Sequence, residues 1–197
     1  MREQLTIFND QLEPTGTKER ECVHKDGDWH ETFHCWLYGC EGESAYLYFQ
    51  KRADFKKEFP SLFDITAAGH IEAEEKVMEA GLREVEEEIG LRLSPSQLEY
   101  IGAYKEELET NEGMDREICR IYVGEVEDSV KLETSEEVTD LVKVKVEDLE
   151  KIFDGSITYQ SIVTGNTGQI GHQDIVPHEK GYYEFVFRQI AEKVEKL

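Results

Sequence analysis

Arg83-Glu84-Val85-Glu86-Glu87-Glu88 concentrates the residue types of this chain that could do chemistry. On a helix, Glu84 stands four residues from Glu88 and three from Glu87, so the three carboxylates share one side. Like charges at that spacing destabilise a helix unless something cancels them. A divalent cation would cancel them, and oxygen-only ligands suit a hard ion, Mg2+ or Mn2+. A second reactive type is scarce positive charge: Arg52 ends an apolar run, and a guanidinium fork suits a phosphate.

These groups need elements to hold them. Met78, Leu82, Val85 and Ile89 recur at helical spacing, which predicts an amphipathic helix over residues 73–89 with Gly90 as its terminator. A short strand at 62–66 would deliver the chain to it. Residues 30–38 and 45–52 read as a strand pair turning at 39–42. In the first, His30, Thr32, His34 and Trp36 share one face and Phe33, Cys35 and Leu37 the other. An opening hairpin is expected from strands at 3–9 and 17–24, followed by a turn at 26–28. Strands are expected at 98–108 and 116–126, joined through 110–113, and at 138–146. A short helix at 147–153, a loop region at 154–177 and an amphipathic helix at 179–196 complete the reading. The last carries Tyr183, Val186, Phe187, Ile190 and Val194 as its stripe. Such an order fits a mixed sheet between helices. Residues 1–28 are expected as an N-terminal β extension and 29–197 as one globular unit.

The bulk properties narrow the partners. A formal net charge of −22 argues against binding to nucleic acid or an anionic membrane. No apolar run approaches the length of a membrane span. Cys22, Cys35, Cys40 and Cys119 form no closely spaced pair and read as reduced thiols, consistent with a cytoplasmic protein. The opening hairpin is a candidate homodimer contact.

Residues 69–91 also resemble the Nudix box. Gly69, Glu75, Arg83-Glu84, aliphatic Val85, Glu87-Glu88, Gly90 and Leu91 stand at its defined positions. The resemblance implies an α/β/α sandwich with the box as strand–loop–helix. It implies Glu84, Glu87 and Glu88 as metal ligands, with Gly69 contributing its backbone and Arg83 and Glu75 orienting loop and helix. The expected activity is hydrolysis of a diphosphate linkage in a nucleoside diphosphate-type small molecule by metal-activated water. A loop glutamate near Glu136-Glu137 helps activate that water in several members of the family.

A looser likeness spans residues 1–155. Residues 29–36, Ala68-Gly69-His70 and residues 115–119 resemble stretches of isopentenyl diphosphate isomerases, Nudix-fold enzymes that hold a metal on histidines. This resemblance implies a second metal site at His30, His70, Asp115 and Glu117. Where those isomerases have a catalytic cysteine this chain has Ala68, and its box is intact, so it is more similar to the isomerase-like Nudix hydrolases. The alternatives are an allylic diphosphate isomerase and a non-catalytic nucleotide diphosphate-binding module. Substrate choice is expected in loops 53–61, 107–115 and 154–177.

Overall fold

The structure, a computed structural model, describes residues 2–111, 113–127 and 130–196; Glu112, in an expected turn, lies outside them. The fold is organised on β3 (Trp29–Glu41), a long strand whose two faces are both buried. Its alternation is the one expected: Trp36 packs into one apolar cluster and Phe33, Cys35 and Leu37 into the other. The first cluster is covered by α3 (Lys180–Val194) through Tyr182, Tyr183, Val186, Phe187 and Ile190. The second is covered by α2 (Val77–Ile89) through Ala80, Val85 and Ile89. The sheet therefore lies between helices, as an α/β/α sandwich.

Around β3 the sheet forks. Its second half pairs antiparallel with β4 (Ser44–Arg52), Tyr38 opposite Leu47. Its first half pairs antiparallel with β6 (Ala67–His70), Thr32 opposite His70. Between them, β5 (Phe63–Asp64) leaves the β4 edge. On the other side β3 runs parallel to β8 (Gly113–Glu125), which puts His30 beside Glu117 and Thr32 beside Cys119. β7 (Leu98–Thr110) pairs with β8, and β9 (Val138–Lys145) with β4. The opening hairpin, β1 (Gln4–Phe8) and β2 (Pro14–Glu19), joins the same sheet through Ile7 opposite His30. Among the described residues no helix is long and apolar enough to cross a membrane.

Three expectations are corrected. The second hairpin strand, expected at 17–24, is β2 from Pro14 to Glu19, and residues 20–24 are helical: α1 (Arg20–Asp26) is one short helix closed by Gly27 at φ 67°. The box helix starts at Val77, not at residue 73, because the N-terminal strand captures the preceding loop. Ala73 N–H donates to the Gln4 carbonyl at 2.7 Å, and Leu5 bridges to Glu72. Residues 154–177 are not a loop but mostly a hairpin, β10 (Ser156–Ser161) and β11 (Thr167–Gly171), at the sheet edge.

Candidate active site

At the fork, α2 meets the backbone of β6. Glu88 is 8 % exposed and accepts the Ala68 N–H at 2.9 Å and the Gln50 amide at 3.1 Å. Burial, and then the charge of Glu84, push Glu88 up to about 8 against the pull of Ala68 N–H. Glu84 lies against Gly69 so closely that a Cβ there would sit 2.2 Å from its carboxylate carbon. Burial raises Glu84 too, offset by Arg83. Glu87 points outward, its side chain 61 % exposed. Arg83 binds this group together. It donates to Glu84 at 2.6 Å, to Glu87 at 3.3 Å and to both oxygens of Glu75 at 3.1 and 3.2 Å, with the His70 carbonyl 3.5 Å away. The three box carboxylates thus line one wall, with Arg83 between Glu84 and Glu87.

The second set converges more tightly. His30, His70, Asp115 and Glu117 come together as the isomerase resemblance implied, and His24 of α1 joins them. Among the described residues, the groups whose ligand atoms lie within 4.8 Å of one another all come from this neighbourhood, and none includes Glu84, Glu87 or Glu88. His24 Nε2 and His70 Nε2 are 3.2 Å apart, and Asp115 Oδ1 is 3.5 Å from His30 Nε2 and 3.8 Å from His24 Nε2. Each ring turns its other nitrogen outward: His30 Nδ1 to the Asp28 carbonyl at 3.2 Å, His70 Nδ1 to Glu3 at 3.5 Å, His24 Nδ1 to Glu58 at 3.8 Å. That is the arrangement by which outer carboxylates and carbonyls orient metal-binding imidazoles. His30 Nε2 and Asp115 Oδ1 are buried without a hydrogen-bond partner among the described residues. Burial lowers His30 to about 3 and His70 well below its ordinary value, so both offer lone pairs. Burial, then the charges of Glu117 and Glu58, push Asp115 up, and burial pushes Glu117 up. Two raised acids facing neutral imidazoles, with orphaned atoms between them, fit a divalent cation.

Sequence reasoning missed His24 and Glu58. The available signal for His24 was Gly27, a left-handed helix terminator that makes residues 20–26 a helix. It also missed a buried charge network in the floor. Arg52 donates to Asp64 at 2.8 Å and to the Glu58 carbonyl. His178 stands 3.3 Å from the other Asp64 oxygen and 2.6 Å from Glu106. Burial alone would lower His178, but its bonds to Asp64 and Glu106 raise it to about 10. Two cations thus balance two carboxylates inside the protein. Glu137, in the loop before β9, pairs with Lys56 at the rim.

Both acidic sets open into one cavity of about 420 Å3, lined by Glu84, Glu87, Glu88, His70, Asp115 and Glu117 on its acidic side. Arg20, Arg52, Lys56 and Arg83 also face it.

A forked mixed sheet between helices, with an Arg–Glu-rich helix against the fork, defines an α/β/α sandwich domain with an acidic helix at its centre. The NUDIX domain family matches residues 28–163. An uncharacterized Nudix hydrolase of Clostridium acetobutylicum is 36% identical, covering 95% of this chain and 97% of its own. The isopentenyl-diphosphate Delta-isomerase of an Escherichia coli strain is 28% identical over 62% of this chain and 66% of its own. In fold, the MutT protein of Methanosarcina mazei superposes with a TM-score of 0.57 at 16% identity, covering 84% of this chain and 94% of that one. The chain belongs to the Nudix family and is a Nudix hydrolase. Enzymes of this family generally use divalent metals.

Proposed function

We propose that the protein is a pyrophosphohydrolase that cleaves a diphosphate linkage in a small nucleoside diphosphate-type molecule, with Mg2+ or Mn2+ as cofactor. One observation carries this reading: in a chain of net charge −22, Arg20, Arg52 and Lys56 face Glu84, Glu87 and Glu88 across a single cavity. Cations gathered in so acidic a chain suit an entering anion, and the acid wall opposite suits the metal that would accompany it. A divalent cation held by Glu84, Glu87 and Glu88 would screen the diphosphate and acidify a water. The chain's own residues do the rest. Arg83 and Glu75 hold the helix against the loop, and Gln50 with Ala68 N–H aims Glu88. Lys56 and Arg20 neutralise phosphate oxygens, and a carboxylate of the acid wall takes the proton from water. Arg52 spends most of its fork on Asp64 and Glu58, so on this reading it acts as a fixed positive end.

We assign the set of His24, His30, His70, Asp115 and Glu117 to a second divalent cation, on the orphaned His30 Nε2 and Asp115 Oδ1. Residues 1–28, read as an extension to a 29–197 domain, supply Glu3 and Arg20 to the cavity and His24 to the histidine cluster. An allylic isomerase is disfavoured because Ala68 has no proton to exchange and its N–H is committed to Glu88. A binding module is disfavoured by the intact carboxylates. The test is release of monophosphate products (two phosphomonoesters from a bridged diphosphate, a monoester and inorganic phosphate from a terminal one), resolved by chromatography, across a panel of diphosphates bearing nucleosides, sugars or alkyl groups, with Mg2+ or Mn2+ and with chelator. Metal-dependent release is expected for a nucleoside-bearing member. Isomerisation without release, or binding alone, would overturn the reading.

A further inference from the structure

We infer that the C-terminal helix belongs to the reaction centre: Tyr182, through His34 and Thr32, positions the Glu117 carboxylate. The argument is one of hydrogen-bond direction. The indole Nε1–H of Trp36 can only donate, and it donates to Tyr182 Oη at 2.9 Å. Tyr182 Oη lies 2.9 Å from His34 Nδ1. Tyr182 is fully buried and these are the two polar partners of its Oη among the described residues, so its own hydrogen is matched only along the second bond, with His34 Nδ1 as the acceptor. The neutral ring then carries its hydrogen on Nε2. That atom is 3.1 Å from Thr32 Oγ1 and 3.3 Å from Glu117 Oε2. Thr32 in turn donates to Glu117 Oε2 at 3.3 Å, and Cys119 S–H approaches the same oxygen at 3.6 Å.

Every bond in this chain therefore points the same way and ends on Glu117. Trp36 and Tyr182 are fully buried, and His34 and Thr32 nearly so, so none can turn aside without leaving a polar atom unmatched. Glu117 needs such support. It shares its site with Asp115, whose charge would drive it away, and the donors behind it hold it beside His30. Tyr182 lies beyond residues 28–163, the part that matches the family, so the helix that follows the domain sets an atom inside it. The kinetic consequence rests on the proposed hydrolase reading; the tautomer of His34 does not.

The experiment is nitrogen-15 NMR of the histidine side chains of the full chain, paired with steady-state kinetics. In wild type, His34 should show a single Nε2–H tautomer. Tyr182→Phe keeps the ring packing but removes the donor, so His34 should become a tautomer mixture. Its kcat should fall roughly tenfold with KM little changed, the scale of a lost orienting partner. His34→Gln, whose amide can still donate to Thr32, should keep most of kcat, and His34→Leu should not. Adding Tyr182→Phe to His34→Leu should cost nothing further, because both break one chain. An Nδ1–H or mixed tautomer in wild type overturns the proposal. So does a Tyr182→Phe variant that keeps both tautomer and kcat. If wild type forms monophosphate products from no substrate, the hydrolase reading falls, and the tautomer measurement alone still decides the positioning role.

Discussion

Gly69→Ala separates the chemistry of the box from its stability. Gly69 lies in ordinary extended backbone of β6, opposite Phe33, so an alanine there costs the main chain little. Its Cβ, however, would stand 2.2 Å from Glu84 Cδ and 2.5 Å from both carboxylate oxygens. Ordinary contact begins at 3.4 Å, so the carboxylate must retreat by 3.4 − 2.2 = 1.2 Å. The retreating group is the end of a flexible side chain, and the bond it strains is the 2.6 Å contact with Arg83. Arg83 is 32 % exposed and keeps Glu75, so that loss is about 1 kcal/mol at most. A melting temperature lower by about 2–4 °C is expected. A displacement of about 1 Å in a reacting constellation costs about 100-fold in rate. Formation of monophosphate products at saturating substrate should therefore show kcat down about 100-fold in a protein that is still folded. Gly81→Ala is the control. There the Cβ would stand 2.1 Å from the buried Phe33 ring, and overpacking costs about 1–3 kcal/mol of stability without touching a carboxylate. Wild-type kcat in Gly69→Ala, or loss of activity and stability in the same proportion in both variants, would refute the assignment of Glu84 to the site.

Glu88 is raised from 4.5 to about 8, so the folded metal-free protein holds this proton longer than the unfolded chain does. Stability should fall as pH rises across that interval; the Mg2+-induced gain in melting temperature should grow over the same window, and Glu88→Gln should abolish the growth. His178 is raised from 6.5 to about 10, so its contribution is complete below 6.5 and is lost as pH climbs through 10. Melting temperatures of wild type should drop over that range, and those of His178→Gln should be lower at neutral pH and flatter above it. Glu87 is largely exposed, so Glu87→Gln should leave the melting temperature within about a degree while abolishing metal-dependent turnover.

The readable features were those that a local pattern encodes. The alternation of β3 follows from period two, and Gly90 closes α2 with φ 68°, the left-handed turn expected after a helical stripe. Glu84, Glu87 and Glu88 were legible because helix geometry relates them. Features set by distant contacts were not. The loop at 71–76 is helix-compatible by composition, yet the Gln4 carbonyl holds it open. The edge hairpin alternates, with Ile157 and Ser161 buried and Thr158 and Gln160 exposed, but glycines and polar residues mask that rhythm. His178 and Glu106 meet across 72 residues of sequence, and neither has a local reason to be buried. His24 was hidden by the misread of α1, and its role depends on how β1 and β8 dock around β3.

That dependence explains why two acidic clusters share one short strand. β6 spends three consecutive residues on them: Ala68 aims Glu88, Gly69 seats Glu84, and His70 turns Nε2 toward His24 and its carbonyl toward Arg83. A strand paired to β3 by backbone hydrogen bonds cannot shift at one of these residues and stay fixed at the next. Charge also links them, since Arg83 contacts Glu84 and lies at the His70 carbonyl. On the proposed reading, a cation at either cluster would relieve repulsion on the same segment of chain, so occupancy of one should alter affinity at the other. The N-terminal segment ties the two sets together from outside as well, because Glu3 lies against His70 and Gln4 holds the box loop. The box carboxylates and the histidine cluster meet on this strand, and on the proposed reading the strand they lean on is what makes them one site.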